Sequence, residues 1–245
     1  MGHYNPARVA GRRRNTGTDG ESSLIEDTTL IPEPYWARLN RWHVSNGRHW
    51  LPWRAINDPW LVLITEYLLA RTRAEAVAVS FPYIASRFDS PESVSSSGED
   101  WEYATRSLGL RNRSKRFIET SRDILSRFDG RVPKDSRDLL SLPGVGHYIA
   151  AAVRNFAWGI PEVLVDTNTI RIANRVSGRV VDKANHRNKL VKSHVASLGH
   201  NRVGMSSGRN YALLDLAALV CTPTGQDCAL CPIKGACSSA GKIQF

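Results

Sequence analysis

Four cysteines, Cys221, Cys228, Cys231 and Cys237, are the only ones in the chain and read C-x6-C-x2-C-x5-C. Thiolates spaced this closely along one segment can all reach a common centre, and a chain with no other cysteine is not assembling a disulfide framework. Two centres take four thiolates, an iron–sulfur cluster and a structural zinc ion. Zinc sites usually show two separated C-x2-C pairs. Here there is one, followed by Pro232, so the spacing favours the cluster. Four unrelated buried cysteines would have no reason to gather.

Three carboxylates stand in apolar surroundings. Glu66 interrupts Trp60-Leu61-Val62-Leu63-Ile64-Thr65-Glu66-Tyr67-Leu68-Leu69. An acid on such a helix is costly unless partnered, and burial raises its pKa, so Glu66 is a functional-site candidate. The competing reading is an ion pair with a nearby arginine. Asp166 follows Val163-Leu164-Val165 and precedes Thr167-Asn168. By itself it reads as a helix N-cap, with a capping contact from Asn168 and a salt bridge from Arg171 as further structural readings. Asp215, in Leu213-Leu214-Asp215-Leu216, reads as structural, holding the cysteine segment through backbone N–H groups.

Leu142-Pro143-Gly144-Val145-Gly146 lies between two helical patterns. Pro143 ends the first, and Gly144 and Gly146 permit positive φ, so the turn can be tight with N–H groups pointing outward. The helix that starts at His147 adds its positive end. Such a turn is an anion site that fits a DNA phosphate without reading sequence. Many helix hairpins use Gly-x-Gly for structure alone, so the site needs support from elsewhere.

The elements that must position these residues are nearly all helical. Asp58-Pro59 is a helix start, an Asp cap with Pro at the first helical position, launching residues 60–71. A helical stretch opens at Pro32 and Pro34 and runs through Trp42. A Ser-rich break at 95–98 separates helices, and further helices are expected at 101–107, 114–128, 135–141, 147–157, 169–176, 186–198 and 209–220. Strand-type alternation is scarce, so the fold class is all-α. Residues 1–30 are polar and carry Arg12, Arg13 and Arg14, which reads as a disordered basic tail.

Composition agrees with a nucleic-acid partner. Lys and Arg number 33 against 23 for Asp and Glu, a formal charge of +10, in a chain of 245 residues that is 42% apolar. A full core is available, and a polyanion is the simplest partner. No stretch approaches the ~18 uncharged apolar residues of a membrane span. The N-terminus lacks a secretory apolar region, so a reducing cytoplasmic location near the nucleoid is expected.

Together the L-P-G-V-G turn, the V-D-x-N-x-x-R run from Val165 to Arg171 and the cysteine spacing resemble the helix-hairpin-helix DNA glycosylases that carry an iron–sulfur cluster. The resemblance covers residues from about 33 to 237. It implies two helical lobes around a central hairpin. One is a helical barrel over 52–160, and the other combines 31–51 with 161–245 and holds a [4Fe-4S] cluster on the four cysteines. It implies Asp166 as the catalytic carboxylate and Glu66 as a contact to an extruded base. Leu142, Gly144, Val145, Gly146 and His147 then become the phosphate-binding hairpin. Arg71 matches the place where relatives fill the gap left by a flipped base, with Leu110 a second wedge.

Tyr148 discriminates among branches. Bifunctional relatives resembling endonuclease III place a Lys two residues after the second hairpin glycine, and that amine forms a Schiff base. Adenine glycosylases usually have Ser there. The Tyr is similar to the thymine/uracil mismatch branch, and a phenol forms no Schiff base. The expectation is a monomeric, monofunctional DNA glycosylase that removes thymine or uracil opposite guanine in double-stranded DNA. The first alternative is adenine removal opposite oxidised guanine. Against it stand Tyr148 and a chain that ends eight residues after Cys237, which leaves no room for a lesion-reading domain. The second alternative is a non-catalytic damage-binding relative, which would have no need of two costly carboxylates.

Overall fold

The structure, a computed structural model, describes residues 29–109, 111–181, 188–199 and 204–242. Most of the expected basic tail and the wedge candidate Leu110 lie outside the described residues. Among the described residues there are eleven α-helices, α1 (Glu33–Asn46), α2 (Pro59–Leu69), α3 (Ala74–Arg87), α4 (Pro91–Ser96), α5 (Gly98–Thr105), α6 (Arg111–Phe128), α7 (Ser136–Ser141), α8 (His147–Trp158), α9 (Thr167–Ser177), α10 (Lys189–Ala196) and α11 (Ser207–Leu219). No strand forms among them. One isolated antiparallel bridge joins Glu162 to Met205. The all-α expectation holds.

Local chemistry sets the helix ends. Asp58 accepts from the Leu61 N–H at 2.9 Å, with Pro59 at the first helical position of α2. Ser90 and Ser93 form a reciprocal capping box at the start of α4. α9 stops at Gly178, in the left-handed region at φ 70°. α3 is absent from the spans expected above. It carries Pro82 in its interior, which reads as a breaker. Yet Val77, Phe81, Ile84 and Phe88 repeat at helical spacing and are all buried, and that burial outweighs the hydrogen bond lost at Pro82.

Two apolar cores form. The first gathers residues of α2, α3, α5, α6 and α8 around Phe117, whose ring stacks on Trp60 and Trp101 at 5.2 and 4.9 Å between centroids. Both indole N–H groups are satisfied, by the carbonyls of Phe88 and Ser114. The second gathers Trp36 and Leu39 of α1 with residues of α9, α10 and α11, and the Trp36 indole donates to the Leu198 carbonyl. The chain crosses between them at neighbouring residues. Val163 packs in the second core and Leu164 in the first. α11 does the same along its length, with Leu213 and Leu216 in the second core and Tyr211 and Leu214 against the first.

The hairpin between α7 and α8 is held from behind. The Pro143 carbonyl accepts from the Tyr67 hydroxyl at 3.2 Å and from the Thr120 hydroxyl at 2.6 Å. Gly144 is left-handed, at φ 75°, and a Cβ there would lie 1.8 Å from Tyr67 Oη. Gly146 differs from the expectation. Its φ is −91° with extended ψ, as a helix N-cap requires, and a Cβ there would meet nothing within 4 Å. Only Gly144 is required by the turn. Gly144→Ala should cost about 2–4 kcal/mol in urea denaturation, from the left-handed φ plus the clash, and Tyr67→Phe should recover part of it. Gly146→Ala should cost under about 1 kcal/mol. Equal costs at the two positions would contradict this division.

Candidate active site at the seam of the two cores

A cavity of about 870 Å³ opens where the cores meet. Glu66 from α2, Tyr148 from the first turn of α8 and Asp166 at the cap of α9 all line it, as do Arg71, Gly146 and His147. The hairpin thus serves two purposes. Its backbone forms a rim, and the helix it starts carries Tyr148 inward. Leu142 and Val145 are buried in the first core. Their N–H groups donate to the Leu139 and Leu142 carbonyls, so these two residues shape the turn from within. Gly144 and His147 are exposed. Arg71 is exposed at the cavity edge with a left-handed φ of 63°, a strained conformation for a non-glycine residue of the kind found at functional sites.

Asp166 is an N-cap in full. Oδ1 accepts from the N–H groups of Asn168 and Thr169 at 3.0 and 2.8 Å, and the Thr169 hydroxyl accepts the Asp166 N–H. The Asn168 side-chain amide donates to Oδ2 at 2.7 Å. These donors hold the carboxylate in one orientation. The Arg171 salt bridge expected from the sequence does not form. The Arg171 guanidinium turns away and donates to Asn168 Oδ1 and to the carbonyls of Ala217 and Cys221. It thereby ties the cap of α9 to the end of α11.

Glu66 is 6% exposed, and no salt bridge reaches it among the described residues. Burial pushes its carboxyl up to about 7; the Arg54 charge opposes this and the Asp166 charge adds to it. At neutral pH Glu66 is thus poised between proton donor and acceptor. Tyr148 lies half-buried. Burial first, then the charges of Glu66 and Asp166, hold its phenol well above the ordinary value, so it stays a neutral donor.

Sequence reasoning missed Arg54. Its guanidinium lies over the Tyr211 ring at 4.0 Å and donates to Asp215 at 2.6 Å, while Nε and Nη1 are buried without a partner. Burial lowers its pKa, opposed by Asp215. Tyr211 stacks on Phe156 at 4.1 Å, and all three residues line the cavity. No motif or spacing marks them. Asp215 is structural, as expected, but not through the cysteine segment. It accepts from the Arg48 backbone N–H and Nε and from Arg54, and it lies 3.2 Å from His43 Nε2. Burial alone would raise its pKa, but the hydrogen bonds from His43 and Arg48 and the Arg54 charge hold it well below the carboxylate range. The partners come from the last turn of α1 and the segment after it, because α11 packs on α1.

The four cysteines meet at a separate cavity of about 30 Å³, lined also by Arg175, Gln226 and Lys234. The Arg175 guanidinium donates to Cys221 Sγ at 3.3 Å and to the Thr222 carbonyl at 2.7 Å. No three His, Cys, Asp or Glu side chains among the described residues form a group that could hold a single metal ion.

No protein-family model matches the chain. The thymine-DNA glycosylase of Aeropyrum pernix is 36% identical over 203 residues, 82% of this chain and 91% of the relative. The thymine/uracil-DNA glycosylase of Pyrobaculum aerophilum is 34% identical, over 79% and 85%. The adenine DNA glycosylase of Mycobacterium tuberculosis is also 34% identical, but over 85% of this chain and 66% of the relative. Among solved structures, a thermostable thymine-DNA glycosylase superposes with a TM-score of 0.73 at 26% identity, over 86% of this chain and 97% of the other. Endonuclease III bound to DNA superposes at 0.69 and 22% identity, over 86% and 96%, which shows the fold. A hydrogen-bonded carboxylate, a proton-poised acid and a phenol around one cavity suit cleavage of an N-glycosyl bond, and with these relatives they make the chain a member of the helix-hairpin-helix DNA glycosylases, of the thymine/uracil-DNA glycosylase kind.

Proposed function

We propose that this glycosylase hydrolyses the N-glycosyl bond of thymine or uracil mispaired with guanine in double-stranded DNA and leaves the abasic strand intact. The observation that carries the reading is the convergence of Glu66, Tyr148 and Asp166 on one cavity. The cavity lies inside the protein, so the nucleotide must leave the base stack to reach it. The Asp166 carboxylate stabilises positive charge that develops on the sugar. Protonated Glu66 donates to the departing base, which is easier to expel when its charge is neutralised. The Tyr148 phenol holds the base by a hydrogen bond and offers no amine for a Schiff base, so water completes the reaction. Arg71, strained at the edge, plugs the gap in the duplex, and the hairpin N–H groups at Gly146 and His147 hold phosphate.

The two apolar cores support a division into a barrel lobe over 52–160 and a second lobe of 31–51 plus 161–245. No helix among the described residues is long and apolar enough to cross a membrane. A genomic substrate supports a location with the cytoplasmic DNA, and action as a monomer belongs to the same proposal. The convergence of four cysteines, with Arg175 donating to one sulfur, supports a [4Fe-4S] cluster held by Cys221, Cys228, Cys231 and Cys237. Each cysteine of such a cluster binds a different iron, so the four need not close on one point as around zinc. The cluster would hold the C-terminal loop in place. The hydrolysis draws on no redox step.

Single-turnover assays on T·G, U·G, A·G and A·oxidised-guanine duplexes test the function. Thymine and uracil opposite guanine should be released, and Asp166→Asn should slow release at least ~100-fold with binding retained. Borohydride should trap no adduct, and strand breaks should follow only alkali or heat. Preferential adenine release would reassign the substrate, and near-normal turnover of the Asn variant would move the chemistry elsewhere.

Glu66 gives a pH signature. Its folded pKa is raised, so the buried acid carries no ionisation penalty below about pH 4.5, where it is neutral in both folded and unfolded chains. The cost grows as pH rises toward 7 and then levels off. Glu66→Gln should therefore stabilise the protein by of order 2 kcal/mol at pH 8 and hardly at all at pH 4, and it should remove the alkaline fall in the cleavage rate. The same gain at both pH values would show that Glu66 does not titrate in this range.

Anaerobically purified protein should carry about four irons per chain with a broad shoulder near ~400 nm. Stoichiometric zinc without iron would replace the cluster with a single-ion site.

A further inference from the structure

The rim of the cavity carries two amines that no motif singles out. Lys189 and Lys192 of α10 line the same cavity as Asp166, Thr167 and Asn168. They stand three residues apart, hence on one helix face, and both are exposed. Neither has an acidic partner among the described residues. Their position does not serve the helix. Lys189 is its first residue, with Asn188 accepting the Leu190 N–H at 2.8 Å, and cations are disfavoured in a first turn by the helix dipole.

The element that carries them is firmly seated. Val191, Val195 and Ala196 are buried in the second core, and His194 Nε2 lies 3.0 Å from Asn174 Oδ1 on α9. Asp166 caps that same α9. The backbone that carries both lysines is therefore fixed, by packing, relative to the carboxylate. Arg71, Gly146 and His147 line the same cavity. A strand whose nucleotide enters it must bring its phosphates past both groups of residues.

We infer that Lys189 and Lys192 bind the backbone phosphates flanking the nucleotide only after it has been turned out of the duplex. This rests on reading the cavity as the receptacle for an extruded nucleotide. In the stacked duplex those phosphates follow the helix surface, outside the cavity that the lysines line. Extrusion carries sugar and phosphate toward Asp166 and crowds neighbouring negative charges. Two ammonium groups lining the cavity that holds Asp166 lower that repulsion in the extruded state and have little to act on before it. Lysines suit the task, since a point charge on a flexible stem follows a phosphate without demanding fixed geometry. The lysines thus favour extrusion over mere attachment.

The test compares two guanine-containing duplexes, one undamaged and one with an uncleavable tetrahydrofuran abasic analogue opposite guanine. Because the analogue carries no base, the result does not depend on which base the enzyme removes. The double substitution Lys189→Gln with Lys192→Gln should weaken binding to the analogue duplex at least ~10-fold and to the undamaged duplex less than ~3-fold. The salt dependence of log K for the analogue should flatten by about 1.8, at about 0.9 per phosphate contact. Each single variant should show an intermediate loss, and the double Arg variant should retain affinity. Because both side chains are exposed, the thermal midpoint should not move. Equal loss on both duplexes would make the lysines general contacts, and no loss would make them a solvated face; either overturns the inference. Borohydride trapping on a natural abasic site that disappears in the double variant would show reacting amines, and would overturn it too.

Discussion

The buried carboxylate of Asp215 is the constraint on which the arrangement depends. It is fully buried, and its neighbours are two arginines and a histidine from the end of α1 and the turn that follows. A charge so placed is tolerated only because each oxygen is satisfied, and removing one partner of such a set typically costs about 3–5 kcal/mol. The pairing fixes the segment from His43 to Arg54 against α11. That segment leads into α2, which carries Glu66. The first core is thereby locked to the second at the point where the cavity opens.

The same network feeds the site electrostatically. Arg54 is held by Asp215 on one side and by the Tyr211 ring on the other. Its charge opposes the rise in the Glu66 pKa while burial drives it. The outcome, about 7, sets burial and the Asp166 charge against the Arg54 charge, and it depends on residues from α2, α11 and the turn before α2 all being in place. Asp166 is positioned by a different route. Asn168 bonds its carboxylate, Arg171 bonds Asn168, and Arg171 also grips the Ala217 and Cys221 carbonyls. The cap of α9 and the start of the cysteine segment are therefore parts of one hydrogen-bonded unit.

Strain and satisfaction are divided along the hairpin. Tyr67 and Thr120 satisfy the Pro143 carbonyl, and Tyr67 closes on Gly144, the one hairpin glycine that the backbone requires. Gly146 leaves the mouth of α8 open. It has no side chain to cap the first turn, and the free N–H groups there remain available to an anion. The two glycines look alike in the sequence and have different purposes in the fold.

Much of this was legible in the residues themselves. Helix starts at Asp58 and Asp166 follow from cap chemistry that acts within three residues, and the all-α class follows from periodicity. The gathering of the four cysteines follows from spacing short enough to force it. Glu66 could be singled out because an acid in an apolar run is costly wherever it ends up. What stayed hidden is what distant segments decide. α3 escaped because a proline outweighs a periodic pattern until tertiary burial is counted. The partners of Asp215, the turn of Arg171 away from Asp166, the aromatic bracket around Arg54 and the lysines of α10 at the cavity rim all join residues far apart in sequence. Local propensity carries no information about such pairings. Local chemistry determined which residues could act, and packing of the two cores decided which of them meet.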